Sequence, residues 1–101
     1  MTKVRIGHNS GLAFVEDDSL SLSERGFEFQ FYFTEKIIRR LSGFSTVTLK
    51  DMKGNIVNLE NFRQRGKDGG LDLVIQIEAS TEAAAKSVAT KVRKIIIETE
   101  A

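Results

Sequence analysis

The sequence predicts an α+β domain built as a two-layer sandwich, because a strand pattern is followed directly by a helix pattern near its end. Between residues 71 and 78, apolar and polar side chains alternate, as in a strand with one buried face. After the capping residues Ser80 and Thr81, apolar side chains recur every three or four positions up to residue 97. We therefore expect a mainly antiparallel sheet with the order β-α-β-β-β-α over residues 27–97 and a long C-terminal helix.

The chain is predicted to form one domain, residues 23–101, preceded by an N-terminal segment of residues 1–22. A length of 101 residues and an apolar fraction of 41% suit a single hydrophobic core. In the N-terminal segment, Val4, Ile6 and the apolar run at 12–15 suit two short strands separated by a turn. We expect a short N-terminal β-hairpin there, with a frayed arm as the alternative.

Residues 27–33 are predicted to form the first strand of the main sheet. Four phenylalanines alternate with more polar residues over this stretch, which is the period of a strand. The first and third phenylalanines are also four residues apart, so the pattern leaves a helix open as the alternative. Thr34 is then expected to cap a short amphipathic helix of residues 35–42.

Residues 46–50 and 56–59 are predicted to pair as a β-hairpin, because each run alternates and turn-forming residues lie between them. Gly54 in that turn can adopt the positive φ that tight turns require. Residues 61–70 show no apolar period and contain three glycines, so we expect a mobile loop there.

Two helices would cover only one side of this sheet, which leaves its second side to solvent, to the N-terminal segment or to another chain. A sheet side without cover is a candidate for an interface, particularly where isolated apolar side chains lie among polar ones. The residues predicted to line this side are Glu28, Gln30, Tyr32, Thr46, Thr48, Asp72, Val74, Gln76 and Glu78.

The composition narrows the possible functions. The chain has no cysteine, which excludes disulfides, thiol catalysis and thiolate metal sites. Its net charge of +1 provides no strong field for nucleic acid or an anionic membrane. No N-terminal signal pattern and no apolar run of the roughly 20 residues that span a bilayer is visible. The expected location is therefore the cytoplasm.

No combination of side chains in the sequence points to catalysis or to a metal. His8 is the only histidine, and it lies in the predicted N-terminal segment rather than in a packed element. The carboxylates of Asp17 and Asp18 belong to an acidic run that lacks the spacing of a calcium-binding loop. We therefore expect a protein that is not an enzyme and that needs no cofactor.

Basic residues form several clusters in the sequence, and two of these clusters are candidate binding sites. Solvated helix surface is the competing interpretation of such clusters, because acidic residues are interspersed with them. The same interpretation applies to Lys91 and Lys94 on the predicted C-terminal helix. The candidate binding residues are Lys36, Arg39 and Arg40 on the predicted short helix, Arg63, Arg65 and Lys67 in the predicted loop, and Tyr32.

The leading hypothesis is a small binding protein that acts on a protein partner as a regulator or inhibitor. It follows from the balanced charge, the lack of a catalytic set and the uncovered side of the sheet. Assembly into a homo-oligomer through a sheet edge is compatible with so small a domain. The alternatives are nucleic-acid binding through the basic residues, and binding of a small anionic ligand or nucleotide by backbone amides near residues 66–70.

The segment from Ile6 to Gly11, with the sequence Ile-Gly-His-Asn-Ser-Gly, resembles a short N-terminal segment of small proteins from alphaproteobacteria and their phages. This resemblance implies a bacterial or phage origin. Small phage proteins of this size often act by binding, so the resemblance also implies an inhibitor, including one directed against a host defence system.

Overall fold

In the described part of the chain, four strands and three helices make up an α+β fold, which confirms the predicted class and the long C-terminal helix. A computed structural model describes residues 2–8, 15–16, 22, 25–66 and 72–100, with the backbone alone at 15–16. The strands are β1 (Thr2–His8), β2 (Val15–Glu16), β3 (Thr46–Asp51) and β4 (Leu73–Ala79). The helices are α1 (Phe27–Leu41), α2 (Leu59–Gly66) and α3 (Glu82–Glu100).

The sheet is mixed, with the strand order β2-β1-β4-β3. Its central pairing, between β1 and β4, is parallel, and the two outer pairings are antiparallel. A parallel pair needs a long crossover connection, and here β2, α1, β3 and α2 lie between β1 and β4 in the chain. The antiparallel pairing of β1 with β2 confirms the predicted N-terminal hairpin, whose predicted residues 12–14 lie outside the described part of the chain.

The hydrophobic core lies between one side of the sheet and the helices α1 and α3. Along β4, buried Leu73, Ile75 and Ile77 alternate with half-buried residues, as the predicted strand requires. The register places Val4 beside Ile75 on one side, and Leu49 beside Ile75 on the other. The helices complete this single cluster with Phe33, Ile37 and Leu41 from α1 and Val88, Val92 and Ile95 from α3.

The predicted strand at residues 27–33 is wrong, because these residues form the first half of α1. Burial along α1 follows helical spacing, with Gln30, Phe33, Ile37 and Leu41 turned to the core. Of the four phenylalanines only Phe33 is fully buried, and the others pack along the flanks of the helix. Tertiary packing of one continuous apolar stripe therefore outweighs the strand preference of the alternating rings.

Thr34 does not cap a helix, as the sequence analysis expected, because it lies inside α1. It is fully buried, and its hydroxyl donates a hydrogen bond of 2.7 Å to the carbonyl of Gln30. A threonine in a helix interior commonly satisfies its hydroxyl in this way. The helix instead begins after Gly26 and continues through the region where two separate elements were expected.

The predicted strand at 56–59 and the predicted loop at 61–70 are also corrected. Ile56 forms only an isolated bridge with Lys50, and α2 begins three residues later. The side-chain oxygen of Asn58 accepts the backbone N–H of Asn61 at 2.8 Å, which is the contact of a helix N-cap. Buried Phe62 then holds α2 against the rest of the domain. Residues 67–70 of the predicted loop lie outside the described part.

The turn after β3 has the geometry that its sequence indicates. Gly54 has a φ of 87°, and Asp51 Oδ1 accepts the backbone N–H groups of Asn55 and Lys53, each at 2.9 Å. The chain then returns along the outer edge of β3, where the N–H of Val57 donates to the carbonyl of Leu49 at 2.8 Å. This return covers the second half of the outer edge of β3.

Replacement of Phe33 by alanine should destabilise the domain far more than replacement of Phe44. Phe33 is fully buried and Phe44 is 71% exposed. For Phe33→Ala we expect a loss of about 3–5 kcal/mol in the free energy of unfolding, because a large core side chain leaves a cavity. For Phe44→Ala we expect a change within about 0.5 kcal/mol. Urea unfolding followed by circular dichroism measures both, and equal losses would contradict the packing described here.

Asp51 should titrate below an ordinary aspartate. The backbone N–H of Asn55, followed by the side chain of Asn55 and the N–H of Lys53, lowers the pKa of Asp51 from 3.8. Because the pKa of Asp51 is lower in the folded than in the unfolded chain, these contacts stabilise the folded turn fully at pH values above the pKa of the unfolded chain. That contribution is lost as the pH falls through the folded pKa. A carboxyl-carbon NMR titration measures this value, with Asp51→Asn identifying the signal; a pKa at or above 3.8 would contradict the turn geometry.

Candidate functional site

Several large apolar side chains are exposed, and one of them borders a groove. Phe44 follows the end of α1 and is held outside the core by the turn that joins α1 to β3. The N–H groups of Phe44 and Ser45 both donate to the carbonyl of Leu41, at 3.0 and 2.9 Å. The exposed large apolar residues of the described part are Tyr32, Phe44, Met52, Ile56 and Ile97.

The ring of Phe44 is partly covered by a charged side chain from α3. The ammonium of Lys91 lies 4.0 Å from the centre of the ring, within the range of a cation–π contact. This contact covers part of the ring with a flexible side chain, and the ring is still 71% exposed. The ring is therefore available to a partner that packs against its open side.

A groove of about 270 Å³ runs between the end of α1 and the second half of α3. We call it the Phe44 groove. Buried Leu41 and Ile95 form its floor. Its volume lies below the roughly 300–1,000 Å³ of small-molecule pockets, so it suits one large apolar side chain better than a cofactor. It is lined by Arg40, Leu41, Phe44, Lys91, Lys94, Ile95 and Glu98.

A second, wider depression of about 800 Å³ borders Phe44 on its other side. It lies at the end of the sheet where β4 finishes and β3 begins. Its lining is mostly small and hydroxylated, and Glu78 contributes a carboxylate. The residues around it are Ser42 to Val47 and Glu78 to Ser80. Phe44 therefore separates a narrow apolar groove from a broad polar depression.

Ion pairs connect the two helices that form the groove. Arg40 of α1 pairs with Glu98 of α3, and Arg25, just before α1, pairs with Glu100. Such exposed pairs stabilise a protein only weakly, but these two join residues that are far apart in the chain. The last turns of α3 therefore contact both the residue just before α1 and the last turn of α1.

The first predicted basic cluster is largely engaged within the protein. Arg39 pairs with Glu35 at 3.1 Å, and Arg40 with Glu98. Lys36 is half-buried, one helical turn before Arg40. These three residues thus share α1, but two of them already have carboxylate partners.

The second predicted basic cluster lies on α2, next to aromatic rings. Arg63 lies 5.2 Å from the centre of the Phe31 ring, and Tyr32 packs edge-on against the same ring. Arg65 is exposed near the end of α2, and Lys67 lies outside the described residues. Because Arg63 contacts one flank of α1 and Arg40 reaches from the other flank to α3, the two basic clusters do not meet on one surface.

The open side of the sheet is only partly the one that the sequence analysis expected. Glu28, Gln30 and Tyr32 belong to α1, and Asp72 precedes β4. The register does place the other predicted residues together, namely Thr46, Thr48, Val74, Gln76 and Glu78. It also places Lys3 and Lys50 on either side of Val74. The position of Lys3 follows from the parallel pairing of β1 with β4, which the sequence pattern did not predict.

Other candidate features give no second site in the described part of the chain. Within residues 2–8, 25–66 and 72–100, no group of three or more His, Asp or Glu side chains has the arrangement of a metal site. His8 is the last residue of β1, and Gly66 ends α2. No described helix is long and apolar enough to span a bilayer.

The sequence analysis did not select Phe44. Its signal in the sequence is a single aromatic residue among turn residues, in the segment Ser42-Gly43-Phe44-Ser45-Thr46. An aromatic residue in such a segment has no strand or helix period that would turn it to the core. Lys91 and Lys94 were noted as a basic cluster, but only the fold places them beside this ring.

Comparison of the chain with known protein families, with curated proteins and with solved structures gave no significant match.

Replacement of Gly66 by alanine should disturb the aromatic cluster that holds α2. A Cβ at Gly66 would lie 2.9 Å from an edge carbon of Phe27, whose ring packs against Phe31 and Phe62. We expect a loss of about 1–3 kcal/mol in the free energy of unfolding, as for other overpacked sites. Gly43→Ala is the matched control, since a Cβ there meets nothing within 4 Å. Equal stabilities of the two variants in urea unfolding would contradict this packing.

Proposed function

We propose that this chain is a non-catalytic binding protein that docks a protein partner at the Phe44 groove. The observation that carries the proposal is the exposed ring of Phe44 beside an apolar floor. Burying a large apolar side chain contributes about 1.5–3 kcal/mol. In the isolated chain most of that free energy is not gained at Phe44, so a partner that covers the ring gains it on binding.

The groove has the composition of a binding hot spot in a protein–protein interface. Such hot spots combine an apolar floor, an aromatic residue and charged residues at the rim, and a few buried contacts provide most of the affinity. Here Leu41 and Ile95 form the floor, Phe44 is the aromatic residue, and charged side chains surround them. The groove alone is too small for a stable interface, which buries about 800 Å² on each partner. The adjoining wide depression supplies further contact area.

The role of regulator or inhibitor is part of this proposal. A small chain that covers a functional surface of its partner can inhibit by exclusion alone, without catalysis. The bacterial or phage type and the action against a host defence system come from the resemblance of residues 6–11, and stay predictions. Cytoplasmic location and assembly into a homo-oligomer also stay predictions.

Nucleic-acid binding is the second candidate, favoured by the cluster on α2. Tyr32 is 55% exposed, and both Tyr32 and the guanidinium of Arg63 contact the ring of Phe31. Unpaired bases stack on exposed aromatic rings, and arginines contact the phosphates beside them. This candidate requires affinity for single strands that falls steeply with salt. A gel-shift series with a labelled oligonucleotide at low salt tests it, and Tyr32→Ala should abolish the shift.

A photo-crosslinking amino acid at position 44 should capture a protein partner that the same residue at position 56 does not capture. Ile56 is 78% exposed and lies in the turn after β3, which makes it a matched control. Cross-linked products from bacterial cells are identified by mass spectrometry. Binding of the partner to purified Phe44→Ala is then measured, and we expect a loss of about tenfold or more.

Two outcomes would contradict the proposal. One is a chain that cross-links to no protein from position 44. The other is a partner that binds Phe44→Ala as tightly as the original chain. A product with twice the mass of the chain would instead identify the partner as a second copy, and light scattering of the purified protein checks this.

A further inference from the structure

We infer that the partner presents an acidic segment, in which a large apolar side chain enters the Phe44 groove and carboxylates lie on either side of it. This inference rests on the proposed function and adds the chemistry of the partner. It comes from the charges around the groove, which are more positive than those of the chain as a whole.

The rim of the groove carries three cations and one carboxylate. Arg40 and Glu98 pair with each other, so their charges largely cancel. Lys91 and Lys94 form no ion pair with any residue in the described part of the chain. The rim therefore has an excess of about two positive charges, whereas the whole chain has a net charge of +1.

The positions of the two lysines suit carboxylates beside an apolar side chain. Lys91 and Lys94 are three residues apart on α3 and therefore lie on the same side of it. The ammonium of Lys91 is held over Phe44, at the mouth of the groove. A carboxylate next to an apolar anchor can pair with Lys91 while the anchor contacts the ring and the floor.

Complementary charge mainly sets partner choice and the rate of association, and apolar contact mainly sets the lifetime of a complex. The Phe44 groove combines an excess of positive charge at its rim with an apolar floor. Its apolar floor is a narrow groove rather than the long apolar face with which helices bind a bilayer surface. An acidic peptide segment fits these features better than nucleic acid or membrane.

Selection from a random 12-residue peptide library, with the full chain immobilised, tests the inference. We expect the enriched peptides to combine Leu, Phe or Trp with Asp or Glu nearby. One enriched peptide is labelled, and its Kd is measured by fluorescence anisotropy. Phe44→Ala and the double variant Lys91→Gln/Lys94→Gln should each weaken binding by about tenfold. The effect of the double variant should shrink as salt is raised.

A matched double variant controls for charge alone. Lys50→Gln/Lys53→Gln removes the same charge from β3 and its turn, outside the groove. We expect its peptide affinity to stay within about twofold of the original, because these lysines are not at the interface. Circular dichroism of each variant checks that the fold is retained.

The outcomes separate this inference from the proposed function. Peptides that need Phe44 but show no acidic preference, and no effect of the double lysine variant, would overturn the inference and leave the proposed function standing. Peptides that ignore Phe44, or no enriched peptide at all, would overturn the inference. A duplex DNA oligonucleotide or phosphatidylglycerol vesicles that bind in place of peptides, with loss in Lys91→Gln/Lys94→Gln, would also overturn it.

Discussion

Seven consecutive residue pairs join β1 to β4 in parallel, from Thr2 with Leu73 to His8 with Ala79. This pairing is the constraint on which the rest of the structure depends, because it joins two segments that lie about 70 residues apart in the chain. The segment between β1 and β4 must then pack against this pair of strands. Within it, β3 pairs with the far side of β4, and α1 packs against the sheet. The core is filled from both sides of this pairing, by Val4 and Ile6 and by Ile75 and Ile77.

The same closure sets the position of the candidate binding surface. The sheet fixes where β3 begins, and the turn before β3 displays Phe44. The end of β4 leads directly into α3, which brings Lys91 against that ring. The ion pair between Arg40 and Glu98 joins the two helices that form the groove walls. A surface that sequence reasoning did not select thus arises from elements that lie far apart in the chain.

The sequence correctly predicts those elements in which the spacing of apolar residues matches the spacing of buried positions in the fold. The alternating run at 71–78 matches β4, and the apolar stripe from 81 to 97 matches α3, since each places its apolar side chains on one buried face. The strand prediction at 27–33 is wrong because alternating phenylalanines are also the pattern of a strand. The apolar stripe that continues at helical spacing as far as Leu41 stabilises a helix instead. The cap at Asn58 and the anchor at Phe62 were local signals for α2 that the three nearby glycines obscured. The candidate basic residues were recognisable by type, but their separation onto two flanks of α1 depends on the tertiary fold.

The return of residues 55–57 along the outer edge of β3 has a consequence for how this chain behaves at high concentration. From Phe44 to Leu49 the sequence has no charge and no proline, which is the composition of a segment prone to edge-to-edge aggregation. With Leu49 already bonded to Val57, the described residues leave a short part of that edge around Val47 for pairing with another strand. The small turn at Asp51 therefore limits edge-to-edge pairing of β3 with a second copy of the chain.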